Sequence, residues 1–240
     1  MPALRRFALC CALLSPLFAR SGELVVLVDT GTDMPMARFD HYRLVAGVHK
    51  DIGEALARAM GRTPKFLALP RKRIPLALDS GEADVLCGYV PEWLDGRFGW
   101  SQPFYPQVEV VLSDRAAPRP SSVAELAGQQ IGTVFGFSYP ELDRALGKDF
   151  VRADAPSIEL NFRKLAAGRL RHMVTMKSWS DYRIKTSEPG LSLHPPLVVT
   201  TYMTRCAVSP KSKVGVADVN RAIARIVKDG AVPAIAARYR

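Results

Sequence analysis

The sequence is poor in the residues that most often carry chemistry. It has four Cys and four His among 240 residues. The His, at 41, 49, 172 and 194, are scattered, and beyond residue 21 no Cys or His stands at zinc-ligand spacing from another. No metal site is therefore expected. There is no Gly-rich phosphate loop of the P-loop or dinucleotide type, so no cofactor of that kind is expected either. Gly136-Phe137-Ser138-Tyr139-Pro140 lacks the second Gly of a nucleophile elbow. No apolar run reaches the roughly 18 residues that span a bilayer. Basic residues are dispersed without a concentrated stripe, which argues against a nucleic-acid partner. Nothing among these points to a reaction, and the chain reads as a non-enzyme.

What is present is globular. Hydrophobic residues make up 48% and charged residues 23%, close to the average of folded domains. The length suits one large domain or two lobes of about a hundred residues each. The N-terminus has the layout of a secretory signal peptide: Arg5 and Arg6, an apolar run from Phe7 to Phe18, then small residues at Ala19 and Ser21. Cleavage is expected after Ser21, or two residues earlier, making residues 1–21 a leader. Its removal takes three Arg and lowers the formal charge from +10 to +7. Two Cys then remain, Cys87 and Cys206. In an oxidising compartment an even pair suggests one disulfide, with two buried free thiols as the alternative.

Strands and helices alternate, which argues for α/β architecture. Residues 24–28 form a continuous apolar, β-rich run, as for a central strand covered on both faces. A polar loop over 29–45 leads to a helix capped by Asp51, carrying Ile52, Leu56 and Met60 and ended by Gly61. Further strands are predicted at 65–69, 84–87, 107–113, 130–134, 197–200 and 207–208. Helices are predicted at 74–79, briefly at 122–125, between Pro156 and Gly168, and at 218–228 and 231–238.

Five stretches, taken in order, carry a resemblance. They are GVHKDIGEAL (47–56), IPLALDSGEADV (74–85), WSQPFY (100–105), ELAGQQIGTVFGFS (125–138), and VNRAI with KDG (219–223 and 228–230). The second is similar to an I-P-A-L-x-S-G-x-x-D-v segment, the third to F-S-x-P-Y-Y. Together they resemble the periplasmic solute-binding proteins of the polar amino acid type (solute-binding family 3, type II periplasmic-binding fold). The resemblance covers nearly all of residues 22–240. It implies two α/β lobes joined by two crossover strands, with a cleft between them that closes by hinge motion. Lobe 1 would be residues 22–110 and 200–240, lobe 2 residues 111–199. It further implies a monomer in the periplasm that hands a small solute to the membrane permease of an ABC-type transporter.

Two departures bear on the solute. The T-x-x-R stretch that commonly holds an amino acid carboxylate is absent; residues 88–99 offer Arg97, out of register. The second-lobe Asp that pairs with the ligand ammonium is replaced by Met176 or Lys177, and a Lys there repels an ammonium group. Aromatic and basic residues stand in expected cleft positions instead: Arg71 of the Arg71-Lys72-Arg73 cluster, Tyr89, Trp93, Gly136, Phe137, Ser138 and Tyr139, with Trp100 and Trp179 as further rings. Backbone N–H groups at Gly136-Phe137-Ser138, read as a helix start, are the anion-binding candidate. These features favour an anionic or aromatic carboxylate over a plain amino acid. Two other readings share the fold: a sensory or accessory protein not coupled to transport, and a cyclic-acid dehydratase with Glu92 as proton donor.

Overall fold

A computed structural model of the chain describes residues 22–186 and 192–239. The leader expected over 1–21 lies outside the described residues. The chain runs through β1 (Glu23–Asp29), a hairpin of β2 (Arg38–Asp40) and β3 (Arg43–Ala46), α1 (Val48–Ala59), β4 (Thr63–Leu69), α2 (Ile74–Ser80), β5 (Val85–Tyr89), β6 (Gly99–Trp100) and the long β7 (Tyr105–Ser113). It continues through β8 (Gln130–Val134), α3 (Pro140–Leu146), β9 (Val151–Ala155), α4 (Ile158–Ala166), β10 (His172–Met176), α5 (Lys177–Thr186), β11 (Leu197–Val208), α6 (Val216–Lys228) and α7 (Ala231–Arg238).

The strand order is β4-β1-β5-β11-β7-β10-β8-β9, with β6 beside β11. Each half is parallel: β1 pairs with β4 and β5, and β8 with β10 and β9. The centre is antiparallel. β11 pairs with β7 from Leu197 opposite Val111 to Thr204 opposite Tyr105, then with β5 from Arg205 opposite Tyr89 to Val208 opposite Val85. Two strands, β7 and β11, thus pass between the halves, and the molecule is an α/β protein of two lobes.

The apolar runs fill both faces of each half-sheet, because successive strand residues point to opposite sides. From β1, Leu24 and Val26 join Ile52 and Leu56 of α1 and Ile223 of α6, while Val25 and Leu27 meet Ile74 and Leu78 of α2. From β7, Val110 and Leu112 pack on Phe162 and Leu165 of α4, while Val111 meets Leu126, Ile131 and Leu142. Each such side chain contributes about 1.5–3 kcal/mol of burial. Cys87 and Cys206 stand opposite each other on β5 and β11, Cα atoms 3.9 Å apart, and form a disulfide rather than two free thiols.

Several elements differ from the sequence expectation. α1 starts at Val48, not behind an Asp51 cap. Gly47 sits there at φ 116°, where an added Cβ would meet Met36 O at 2.5 Å. Asp51 instead accepts from Tyr239 Oη at 3.0 Å. The segment read as a polar loop contains the β2–β3 hairpin. α4 is capped by Ser157, whose Oγ accepts from Leu160 N at 3.2 Å. The runs at 197–200 and 207–208 are two ends of one twelve-residue strand. α3 starts at Pro140, two residues past the helix start expected at Gly136-Phe137-Ser138, and β9, β10 and α5 were not anticipated.

Candidate functional site

Between the lobes lies a cavity of about 90 Å³. One side supplies Thr32, Asp33 and Met36 from the loop after β1, His49 of α1, Arg71, Tyr89 of β5 and Trp93. The other supplies Phe137, Ser138 and Tyr139, Ile158 of α4, Met176 of β10 and Trp179 of α5. Gln107 and Glu109 come from β7, one of the two strands that connect the lobes.

Arg71 is the best-defined group. Pro70 leads from β4 into a short 3-10 turn over Arg71–Arg73, in which Arg71 is half-buried and Lys72 and Arg73 are exposed. Arg71 donates Nη1 to Tyr89 Oη at 2.7 Å and to Asp29 at 3.3 Å, and Nη2 to Trp93 O at 3.1 Å. Its guanidinium lies 4.7 Å from the ring centres of both Tyr89 and Phe137, so rings from both lobes sandwich it. Asp29, at the end of β1, has a fully buried side chain and also accepts from Gly31 N at 2.8 Å and Tyr89 Oη at 3.1 Å. Burial opposes the charge on Arg71, but Tyr89 and Asp29 outweigh it and hold the guanidinium above its ordinary pKa. Burial, with the Asp29 charge, drives the Tyr89 hydroxyl far above its usual range, so it stays an O–H donor.

Glu109 is the opposite case. It is 1% exposed, and its Oε2 has no hydrogen-bond partner. Burial, helped by the Glu141 charge, raises its pKa to about 8, so it is mostly neutral at pH 7. His49 is also kept neutral: burial lowers it to about 4 against a smaller pull from Asp29. Gly88 permits that packing, since at φ 84° an added Cβ would come 2.9 Å from His49 Cε1. Gln107 ties the lobes, donating Nε2 to Met36 Sδ at 3.2 Å and accepting from Ser178 Oγ at 3.2 Å.

The cavity gathers Arg71, Tyr89, Trp93, Phe137, Ser138, Tyr139 and Met176 from the residues singled out in the sequence. Gly136 adjoins it, an added Cβ there lying 3.9 Å from Arg71 Cγ. The Phe137 amide donates to Val134 O at 3.1 Å, so the loop presents a ring to the cavity and that N–H is already used. Three charged candidates stand apart. Arg97 is exposed and does not line the cavity. Lys177 pairs with Asp181 at 2.6 Å and borders a neighbouring groove. Glu92 is exposed and borders a separate groove. Sequence reasoning missed Asp29, His49, Gln107 and Glu109. The available signal was in β7, where Gln107 and Glu109 alternate with Val108 and Val110: two polar residues along one face of an apolar strand.

No family model matches the chain, and no curated protein matches it by sequence. Solved structures match by shape. A histidine kinase sensor domain with similarity to periplasmic binding proteins has a TM-score of 0.75 at 23% identity, covering 92% of this chain and 96% of its own. An ancestral arginine-binding protein bound to arginine has a TM-score of 0.74 at 19% identity, covering 92% and 99%. An ancestral amino acid-binding protein, a precursor of cyclohexadienyl dehydratase, has a TM-score of 0.73 at 18% identity, covering 90% and 94%. At these identities the likeness is one of architecture: the chain has the two-lobe type II periplasmic-binding fold.

Proposed function

We propose that the chain is a periplasmic binding protein that captures a small solute by closing two lobes over it. Lobe 1 comprises residues 22–110 and 200–240 and lobe 2 residues 111–199, in keeping with the separate hydrophobic clusters on either side of β7 and β11. The observation that carries the reading is the cavity itself, lined from both lobes and by a strand that connects them. Such a site captures by closure, because only the closed state makes both sets of contacts. Delivery to an ABC-type permease is the leading role; sensing without transport is the other use of this fold.

The aromatic half of the ligand expectation gains support from Trp93, Phe137, Trp179 and Tyr139 around the cavity. The anionic half loses support. Arg97 and Lys177 stand outside the lining, and Arg71 is already neutralised by Asp29. Native mass spectrometry of the secreted protein should reveal one small co-purified solute, and small-angle scattering should show contraction when it is restored. A scattering profile unchanged by any solute discards the reading.

One observation favours a second reading, the dehydratase. Glu109 is a neutral carboxylic acid inside the cleft, the kind of proton donor that elimination from a cyclic acid requires, which Glu92 is not. Incubation with prephenate-like acids would change their ultraviolet absorbance; a flat trace removes this alternative.

A further inference from the structure

Glu109 and Arg71 share one cavity, yet their states are reversed. The cation is saturated: Asp29, Tyr89 and the Trp93 carbonyl take its N–H groups. The carboxyl is open: Glu109 is 1% exposed, and its Oε2 meets no donor. Among the described residues, Arg71 is the one Lys or Arg side chain lining the cavity. Asp33 adds a second acidic group to the lining, and aromatic rings supply much of the rest. Rings and an unpartnered buried carboxyl are the recognition chemistry of an organic cation.

We propose that the cleft binds a small organic ammonium ion, with the ammonium N–H donating to Glu109 Oε2 and the apolar part lying among the rings. The proposal rests on the solute-binding reading above and names the class of solute. It needs no free carboxylate clamp, in accord with the saturation of Arg71.

The binding step has a proton balance. The resident Glu109 carboxyl is protonated, so pairing with an ammonium ion expels one proton to solvent while the ligand keeps its own. Glu141 of α3 acts on Glu109, the Glu109 charge in turn raises Tyr139 and Tyr202, and Asp33, His49 and Arg71 line the same cavity. Neighbouring Tyr139 and Tyr202 are raised by burial and His49 is lowered, so all three stay neutral at pH 7. Burial raises Asp33 as well, so loss of the release in Glu109→Gln is what assigns the proton to Glu109.

The test is calorimetric titration of the purified protein with benzylamine, benzoate and phenylglycine, in buffers of different ionisation enthalpy. Benzylamine should bind with release of protons at pH 7 and contract the particle in scattering. Glu109→Gln, checked for folding by circular dichroism, should weaken benzylamine about tenfold or more and abolish the release. Proton release by the unaltered protein needs no variant and stands if Glu109→Gln fails to fold. Binding of benzoate or phenylglycine but not benzylamine overturns the cation and leaves the solute-binding reading intact. Benzylamine binding without proton release also overturns it. No heat and no contraction with any probe, or with a periplasmic small-molecule extract, sinks both.

Discussion

Replacing Arg71 by Met isolates the energetics of the cleft wall. The change keeps the length of the side chain and removes its charge, leaving Asp29 with a fully buried side chain and only Tyr89 Oη and Gly31 N as donors. Breaking a buried ion pair from one side costs about 3–5 kcal/mol, because the remaining charge is uncompensated. The Arg71 side chain keeps 15% of its exposure, so some screening by water remains and the lower end applies, about 3 kcal/mol. That is a large share of the roughly 5–15 kcal/mol that holds a typical domain together. Urea unfolding followed by fluorescence of Trp93, Trp100 and Trp179 reads it directly as a shifted midpoint. Asp29→Asn in the same background removes the orphan charge, so the double variant should be more stable than Arg71→Met alone. A single variant within 1 kcal/mol of the parent, or a double variant in which the two losses simply add, refutes the claim that the two groups form a coupled buried pair.

Other expected outcomes follow from the same geometry. Cys87→Ala with Cys206→Ala opens a loop of 119 residues, which by the chain-entropy model lowers stability by about 5 kcal/mol; a loss below 1 kcal/mol in urea would show that the bond does little to restrict the unfolded chain. His49 in the folded state titrates near 4 against 6.5 unfolded, so the unfolded chain takes up the proton first as pH falls. Stability is then intact above about pH 6.5 and declines by about 3 kcal/mol down to pH 4, and His49→Gln should flatten that decline in pH-dependent melting curves. Phe137→Ala removes the ring that lobe 2 lays over Arg71, a contact worth about 1 kcal/mol, and should enlarge the radius of gyration of the solute-free protein in scattering.

How much could be read beforehand depended on how local each signal was. β1 was legible because Leu24 to Val28 is apolar without interruption, and α2 because Gly81 sits just past its end and adopts the left-handed conformation, φ 81°. β11 was legible only at its two ends. Its middle, Thr201 to Arg205, shows no apolar run or polar-out alternation, because Thr204 and Tyr202 are buried there while Met203 is exposed. The β2–β3 hairpin escaped notice because its strands have three and four residues and turn through His41 and Tyr42, both at positive φ. For the site, the rings were visible as rings, but which charges faced the cavity was not. Lys177 opens α5 and finds Asp181 one turn along, so its partner is local. Asp29 and Arg71 meet across 42 positions of sequence, and the isolation of Glu109 is a fact about everything packed around it.

The placement of β11 orders the birth of the molecule. It is the last strand to leave the ribosome, yet it lies between β5, which ends at Tyr89, and β7, which ends at Ser113, both well before β11 begins at Leu197. Every nascent chain shorter than residue 197 therefore lacks the seam that both half-sheets share, and Cys87 waits for Cys206 throughout. An incomplete chain therefore cannot assemble the finished sheet, and the two half-sheets are joined only when the last strand arrives.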